Sequence, residues 1–140
     1  MKVFISHSWN HHRRHFDRLV SKLTSQTDIH LSIHSVEEHD PIFLENSGVA
    51  RNIKEQIRAS NVFVCINTPA ITYSEWLRYE VDTAAKLAKP IIAVTPHGLT
   101  GTLKKSRFLD RYDVSHTAWN TRSVLRSIDD ALHPTADSFH

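Results

Sequence analysis

Asn61-Val62-Phe63-Val64-Cys65-Ile66-Asn67 is the stretch on which the fold turns. It is a near-continuous apolar run, of strand length and rich in β-branched and aromatic residues. A strand with one wet face would alternate apolar and polar side chains, whereas a run without alternation belongs to a strand covered on both faces, as in parallel sheets. Thr68-Pro69 stops it. After a short break, Ser74-Glu75-Trp76-Leu77-Arg78-Tyr79-Glu80 opens a helix whose inner stripe reads Leu77, Val81, Ala84, Ala88 at helical spacing. That helix ends near Lys89-Pro90, and Ile91-Ile92-Ala93-Val94 follows as a second buried strand, stopped at Pro96.

The same alternation extends in both directions. Upstream, Lys2 to Ser6 reads as a strand ending in the polar turn Ser6-His7-Ser8-Trp9-Asn10, and Phe16, Leu19, Val20 and Leu23 follow helical spacing. Ile29 to Ile33 reads as a strand, and Val49, Ile53 and Ile57 define another helix. Between them, His34 to Gly48 is polar and punctuated by Pro41, a loop long enough to expect function at a cleft mouth or a self-association surface. Downstream, Pro96 to Gly101 is a loop and Thr102 to Asp113 holds a short helix. Val114 to Trp119 contains an edge strand, and Asn120 or Thr121 caps a last helix through Val124, Leu125, Ile128 and Leu132. The expected architecture is therefore α/β: a flavodoxin-like, five-stranded parallel sheet of order 2-1-3-4-5 with helices on both faces. Residues 1–133 form one domain and 134–140 a frayed tail.

Composition narrows the function classes. With 140 residues, 40% hydrophobic and 23% charged, the chain has the make-up of one soluble globular domain. A net charge of +2, with basic residues spread along the chain, does not indicate a nucleic-acid protein. No apolar run approaches membrane-spanning length, and Phe4-Ile5 leads straight into polar residues, so neither a membrane partner nor a signal peptide is expected and the location is cytoplasmic. The single cysteine, Cys65, falls inside an apolar run as a small core residue. Of the eleven histidines, His11 and His15 have a spacing that can hold a metal, but no acidic or cysteine partner stands at a motif distance, and a solvated helix start is the better reading.

In an open parallel sheet, ligands bind at the carboxyl ends of the strands near the switch point. Strand one delivers Ser6, His7, Ser8 and Trp9 to that rim, strand two His34 and Ser35, strand three Asn67 and Thr68, and strand four Thr95, Pro96 and His97. Glycine-rich phosphate loops, a nucleophile elbow and a paired-cysteine motif are all missing. What remains is a polar and aromatic cleft beside one carboxylate, Glu80, placed at the border of its helix's buried stripe. Such a carboxylate suits sugar binding or glycosyl transfer. Ser6 and His7 either contact a phosphate or ribose or cap the following helix. Trp9 and Trp76 either stack on a base or pack in the interior. Ser74 is either a rim residue or the helix N-cap. Asn67 and His97 complete the candidate rim, and Trp119 belongs to the core under the last helix.

The segments Val3 to Trp9, Ser35-Val36 with His39-Asp40-Pro41, Ser74 to Glu80, Lys89 to Val94, and Ala118 to Thr121 occur in one order that resembles the TIR-like family which includes the TIR subunit of the Thoeris antiphage defence system. The resemblance runs from about Lys2 to Leu132. It implies a TIR fold and NAD+ as substrate, with cleavage of the nicotinamide–ribose bond and production of a cyclic or modified ADP-ribose signal. Glu80 is then the catalytic carboxylate, with no cofactor or metal. The partners implied are NAD+, a separate effector protein reached through the diffusible signal, a phage-derived trigger, and self-association. The same family contains TIR domains that only assemble other proteins, so a non-catalytic interaction module is the alternative. A nucleoside deoxyribosyltransferase-like enzyme ranks behind both.

Overall fold

The computed structural model describes residues 1–8, 13–26, 29–36, 46–67, 71, 74–95 and 107–133, and of these the side chains other than 7–8, 13–16, 34–36 and 107. Five strands, β1 (Lys2–Ser8), β2 (His30–Val36), β3 (Val62–Ile66), β4 (Ile91–Thr95) and β5 (Val114–Ala118), form one sheet of order β2-β1-β3-β4-β5. Every neighbouring pair is parallel. Among the described residues, helices α1 (Arg13–Thr24), α2 (Gly48–Ala59), α3 (Glu75–Lys86) and α4 (Thr121–Leu132) connect or flank them. A short 3-10 turn, Arg107–Arg111, stands where a short helix is expected.

Strand parity sorts the interior into two halves. Side chains alternate along a strand, so Val3 and Ile5, Val62, Val64 and Ile66, and Ile92 and Val94 join one cluster with Leu19 and Leu23 of α1 and Val124 and Ile128 of α4. Phe4, Phe63, Cys65, Ile91 and Ala93 face the other way and join Ile53 and Ile57 of α2 with Leu77, Val81 and Ala84 of α3. Phe4 and Phe63, register partners across β1 and β3, lie nearly parallel with ring centroids 5.7 Å apart, a favourable offset geometry for large buried rings. Trp119 packs in the first cluster, as its place under the last helix leads one to expect.

Several sequence readings shift in detail. Strand β1 runs on through His7 and Ser8, where a turn is expected, because Ser6, His7 and Ser8 pair with His34, Ser35 and Val36 of β2. For the same reason the expected loop beginning at His34 starts later, and Gly48 already belongs to α2. Val49 is 48% exposed rather than inward-facing; Ala50 takes that place, one helical turn before Ile53. Ala88 is not part of α3's stripe. It sits past the C-terminus with φ 57°, while Ala88 N–H donates to Ala85 O and Lys89 N–H to Ala84 O. These are the two bonds of a Schellman stop, which places its first residue outside the helix in the left-handed region. Residues 37–45 of the expected loop, His11 and His12 with the side chain of His15, the Pro96–Gly101 loop and the 134–140 tail lie outside the described residues.

Candidate functional site at the carboxyl ends of β1, β3 and β4

The same parity that builds the second cluster brings polar residues to one end of it. Continuing the Phe4 face of β1 gives Ser6; continuing Phe63 and Cys65 gives Asn67; continuing Ile91 and Ala93 gives Thr95. All three are buried. They lie at the carboxyl ends of three adjacent strands, spanning the switch point between β1 and β3 where open α/β sheets bind ligands. Asn67 is held there by its backbone, which donates to Val94 O at 2.8 Å.

Helix α3 packs over this polar end. Its start is fixed by Ser74, whose hydroxyl accepts from Leu77 N–H at 3.2 Å. Ser74 is thus the N-cap residue of α3. From that start, Leu77, Val81 and Ala84 point into the core and Glu80 lies between them, with 0% of its surface exposed. The border position expected from the helical stripe is therefore a fully interior one. Ser6 Oγ donates to Glu80 Oε2 at 3.1 Å. Burying a carboxylate is costly unless hydrogen-bond donors reach it, and Ser6 is one such donor. Among the described residues no buried side-chain polar atom lacks a partner.

Cys65 stands in register between Ser6 of β1 and Ala93 of β4. Burial pushes its thiol up to about 12, and the charge of Glu80 pushes in the same direction. Cys65 is thus a neutral, inert wall of the site. Trp76, 6% exposed, belongs to the apolar cluster beneath α2 and α3. The backbone of His7 continues β1 one residue beyond Ser6, while its side chain, Trp9 and His97 lie outside the described residues. Among the described residues no group of histidine, cysteine and carboxylate side chains assembles a metal site. Thr95 stands at the rim to which its strand is expected to deliver it, whereas Cys65, expected only as a core residue, is a site neighbour that the period-two count from Phe63 along β3 could have found.

A polar rim at the switch point, one interior carboxylate on the following helix, and a serine of β1 bonded to it form the setting for the comparisons. The sequence model of the family described as Thoeris protein ThsB, TIR-like domain, matches residues 4–101. The chain belongs to this TIR-like Thoeris family. That span runs from Phe4 within β1 through β4 and includes α3, and so holds every residue of the polar cluster. A search of curated proteins found no significant match. Solved structures share the architecture. The CMP N-glycosidase BcmB of Clostridium botulinum aligns over 92% of this chain and 99% of its own, at 13% identity and a TM-score of 0.58. A 3-dehydroquinate dehydratase-like protein from Bifidobacterium longum aligns over 95% and 96%, at 15% identity and a TM-score of 0.55. At these identities the likeness is one of fold. In the TIR-like chain no helix among the described residues is long and apolar enough to cross a membrane.

Proposed function

We propose that this TIR-like protein is an NAD+-consuming enzyme that cleaves the nicotinamide–ribose bond and releases an ADP-ribose-derived signal in antiphage defence. The observation that carries the reading is Glu80: an interior carboxylate, bonded by Ser6, at the carboxyl ends of β1 and β3. Family membership supports the same assignment. The ring nitrogen of nicotinamide is cationic in the dinucleotide, so the bond to ribose C1′ breaks with its electron pair leaving on a neutral base, and little acid catalysis is needed. The protein's task is to hold the ribose and stabilise positive charge developing at C1′. A carboxylate kept out of water does this best, because its field is least screened. Attack by water at C1′, with its proton released to solvent, gives ADP-ribose; attack by an adenine or ribose atom of the same molecule gives a cyclic product, and exclusion of water selects between them.

In this reading Glu80 is catalytic, Ser6 positions it, and Asn67 with His7, Trp9 and His97 contacts the substrate. Trp76 supports the wall from behind, and the Ser74 hydroxyl acts through the start of α3. The enzyme works in the cytoplasm without a cofactor or metal, and its product acts on a separate effector protein. Since Glu80 is closed to solvent, substrate access requires an opening, which a phage-derived trigger or self-association provides.

That closure also favours a second reading, a non-catalytic assembly module in which Glu80 and Ser6 form an interior polar pair and nothing more. Mass spectrometry of small molecules from cells expressing the protein, with and without phage infection, separates the two. The enzyme reading expects nicotinamide and an ADP-ribose derivative to appear on infection at the expense of NAD+. An unchanged NAD+ pool and no new nucleotide in protected, infected cells would leave the module.

A further inference from the structure

The outward side of α3 carries a second feature that the catalytic reading does not use. Between α2 and α3 lies a groove of about 380 Å³, and four cations line it: Arg51, Lys54 and Arg58 from α2 and Lys86 from α3. The carboxylate in the lining, Asp82, is already paired with Lys86 at 2.8 Å. Arg58 is matched by Glu55 at 3.0 Å, whereas Arg51 donates to a neutral carbonyl, that of Asn46, at 3.2 Å. Among the described residues no carboxylate is paired with Arg51 or Lys54.

Arg51, Lys54 and Arg58 are spaced i, i+3 and i+7, one face of α2 over about 10 Å of helix. Like charges at this spacing repel and weaken a helix, a cost the sequence carries with only Glu55 to offset it on that helix. The groove is also fixed in width. Tyr79 of α3 donates its hydroxyl to Ala50 O of α2 at 3.1 Å, bonding the two helices side by side. Its volume lies at the small end of the ~300–1,000 Å³ usual for small-ligand sites, but such sites are mostly apolar and this one is walled by guanidinium and ammonium groups.

We infer that this groove binds a small oligophosphate anion, a diphosphate or a nucleotide carrying one, at a site distinct from the Glu80 cleft. Two negative charges a few ångströms apart match cations arrayed along one helix face, and arginine takes phosphate oxygens in pairs. A nucleic acid or an acidic protein would call for a broad basic face, and the net charge of +2 does not provide one. The inference stands on the groove alone and does not depend on NAD+ cleavage.

The test is a titration of the full chain, amide by amide in solution NMR, with inorganic pyrophosphate and separately with ADP at low salt. Saturable shifts confined to residues 46–58 and 79–87, with a Kd of roughly 0.1–1 mM, are expected. The double variant Arg51→Gln with Lys54→Gln weakens binding about tenfold or more. Arg18→Gln with Lys22→Gln removes the same charge from α1 and stays within about twofold. If the double variant fails to fold, Lys54→Gln alone carries the comparison. ADP binding tighter than pyrophosphate assigns the site to nucleotides and equal affinities assign it to the oligophosphate itself; both uphold the inference. No saturation up to about 10 mM, equal weakening in the α1 control, or binding of duplex DNA with pyrophosphate silent would overturn it.

Discussion

Ser6 and Glu80 stand 74 positions apart and meet through one 3.1 Å hydrogen bond, both closed to solvent. The bond joins the carboxyl end of β1 to the second turn of α3, so the helix that carries the carboxylate is referenced to the strand that begins the fold. Both the proposed chemistry and the stability of this end of the sheet depend on that pair.

Replacing Glu80 by Gln separates the two roles. The amide nearly matches the carboxylate in shape and still accepts from Ser6, so thermal unfolding should remain cooperative with stability within about 1–2 kcal/mol of wild type. Product formation under triggering conditions should fall by about two orders of magnitude or more, since a charge-stabilising group is lost. Wild-type turnover by the variant would remove Glu80 from the mechanism.

Ser6→Ala deletes the donor and leaves a buried acceptor short of a partner. A loss of about 1–3 kcal/mol in denaturant unfolding is expected. In a double-mutant cycle with Glu80→Gln the two changes should be non-additive, with a coupling of about 0.5 kcal/mol or more. Strict additivity would mean that Ser6 bonds the amide of the Glu80→Gln variant as strongly as it bonds the carboxylate.

Ser74→Ala should cost about 1 kcal/mol through loss of the cap, and Ser74→Asp should restore most of it. If the hydroxyl acts only through the helix start, product formation recovers along with stability in the Asp variant. Full stability with activity still absent would give Ser74 a direct contact with substrate.

Ala88 offers the opposite experiment. An L-residue at φ 57° carries strain that glycine lacks, while glycine adds freedom to the unfolded chain. The first effect is the larger, so Ala88→Gly should stabilise by about 0.5–1 kcal/mol, seen as a higher melting temperature. A lower one would show that the Schellman stop tolerates alanine without strain.

Alkaline pH should find Cys65. Its thiol moves from 9.0 to about 12 on folding, chiefly through burial. A group whose pKa is raised in the folded state contributes stability that is intact below pH 9 and drains as pH rises toward 12, since the unfolded chain releases the proton first. The slope should approach ~1.4 kcal/mol per pH unit for that one proton. Tyr112 is also shifted upward, by burial first and then by Asp82, so the Cys65 share is the difference between wild type and Cys65→Ala. Identical slopes for the two proteins would rule it out. Below pH 9 the native thiol should resist alkylation until the protein unfolds.

Much of this is legible in the sequence. Unbroken apolar runs at Val62–Ile66 and Ile91–Val94 allow little but interior parallel strands, and the helical periods between them set the crossovers. The residue at which each element ends was less legible. His7 and Ser8 read as turn because they are polar, yet β2 supplies a backbone partner for each, and pairing outweighs local preference. Val49 read as inward because it is apolar, but Ser47 caps α2 and sets the phase of the helix, turning Ala50 inward instead. At the site, Glu80 was marked by its place beside the stripe, while its depth depends on how closely α3 lies against β1 and β3, a tertiary quantity that no window of sequence contains.

The alternation along β1 has a further implication for how this protein can vary. Val3 and Ile5 serve one half of the interior, Phe4 and Ser6 the other. A single inserted or deleted residue inside the strand reverses this parity for everything beyond it. Opposite Glu80 would then stand Ile5 or His7 in place of the hydroxyl, and a phenylalanine would leave the ring of Phe63. Substitutions along β1 are graded insults, but a change in its length is all-or-none. Natural variation in this strand should therefore be confined to exchange of side chains, with insertions and deletions shifted to the segments on either side of it.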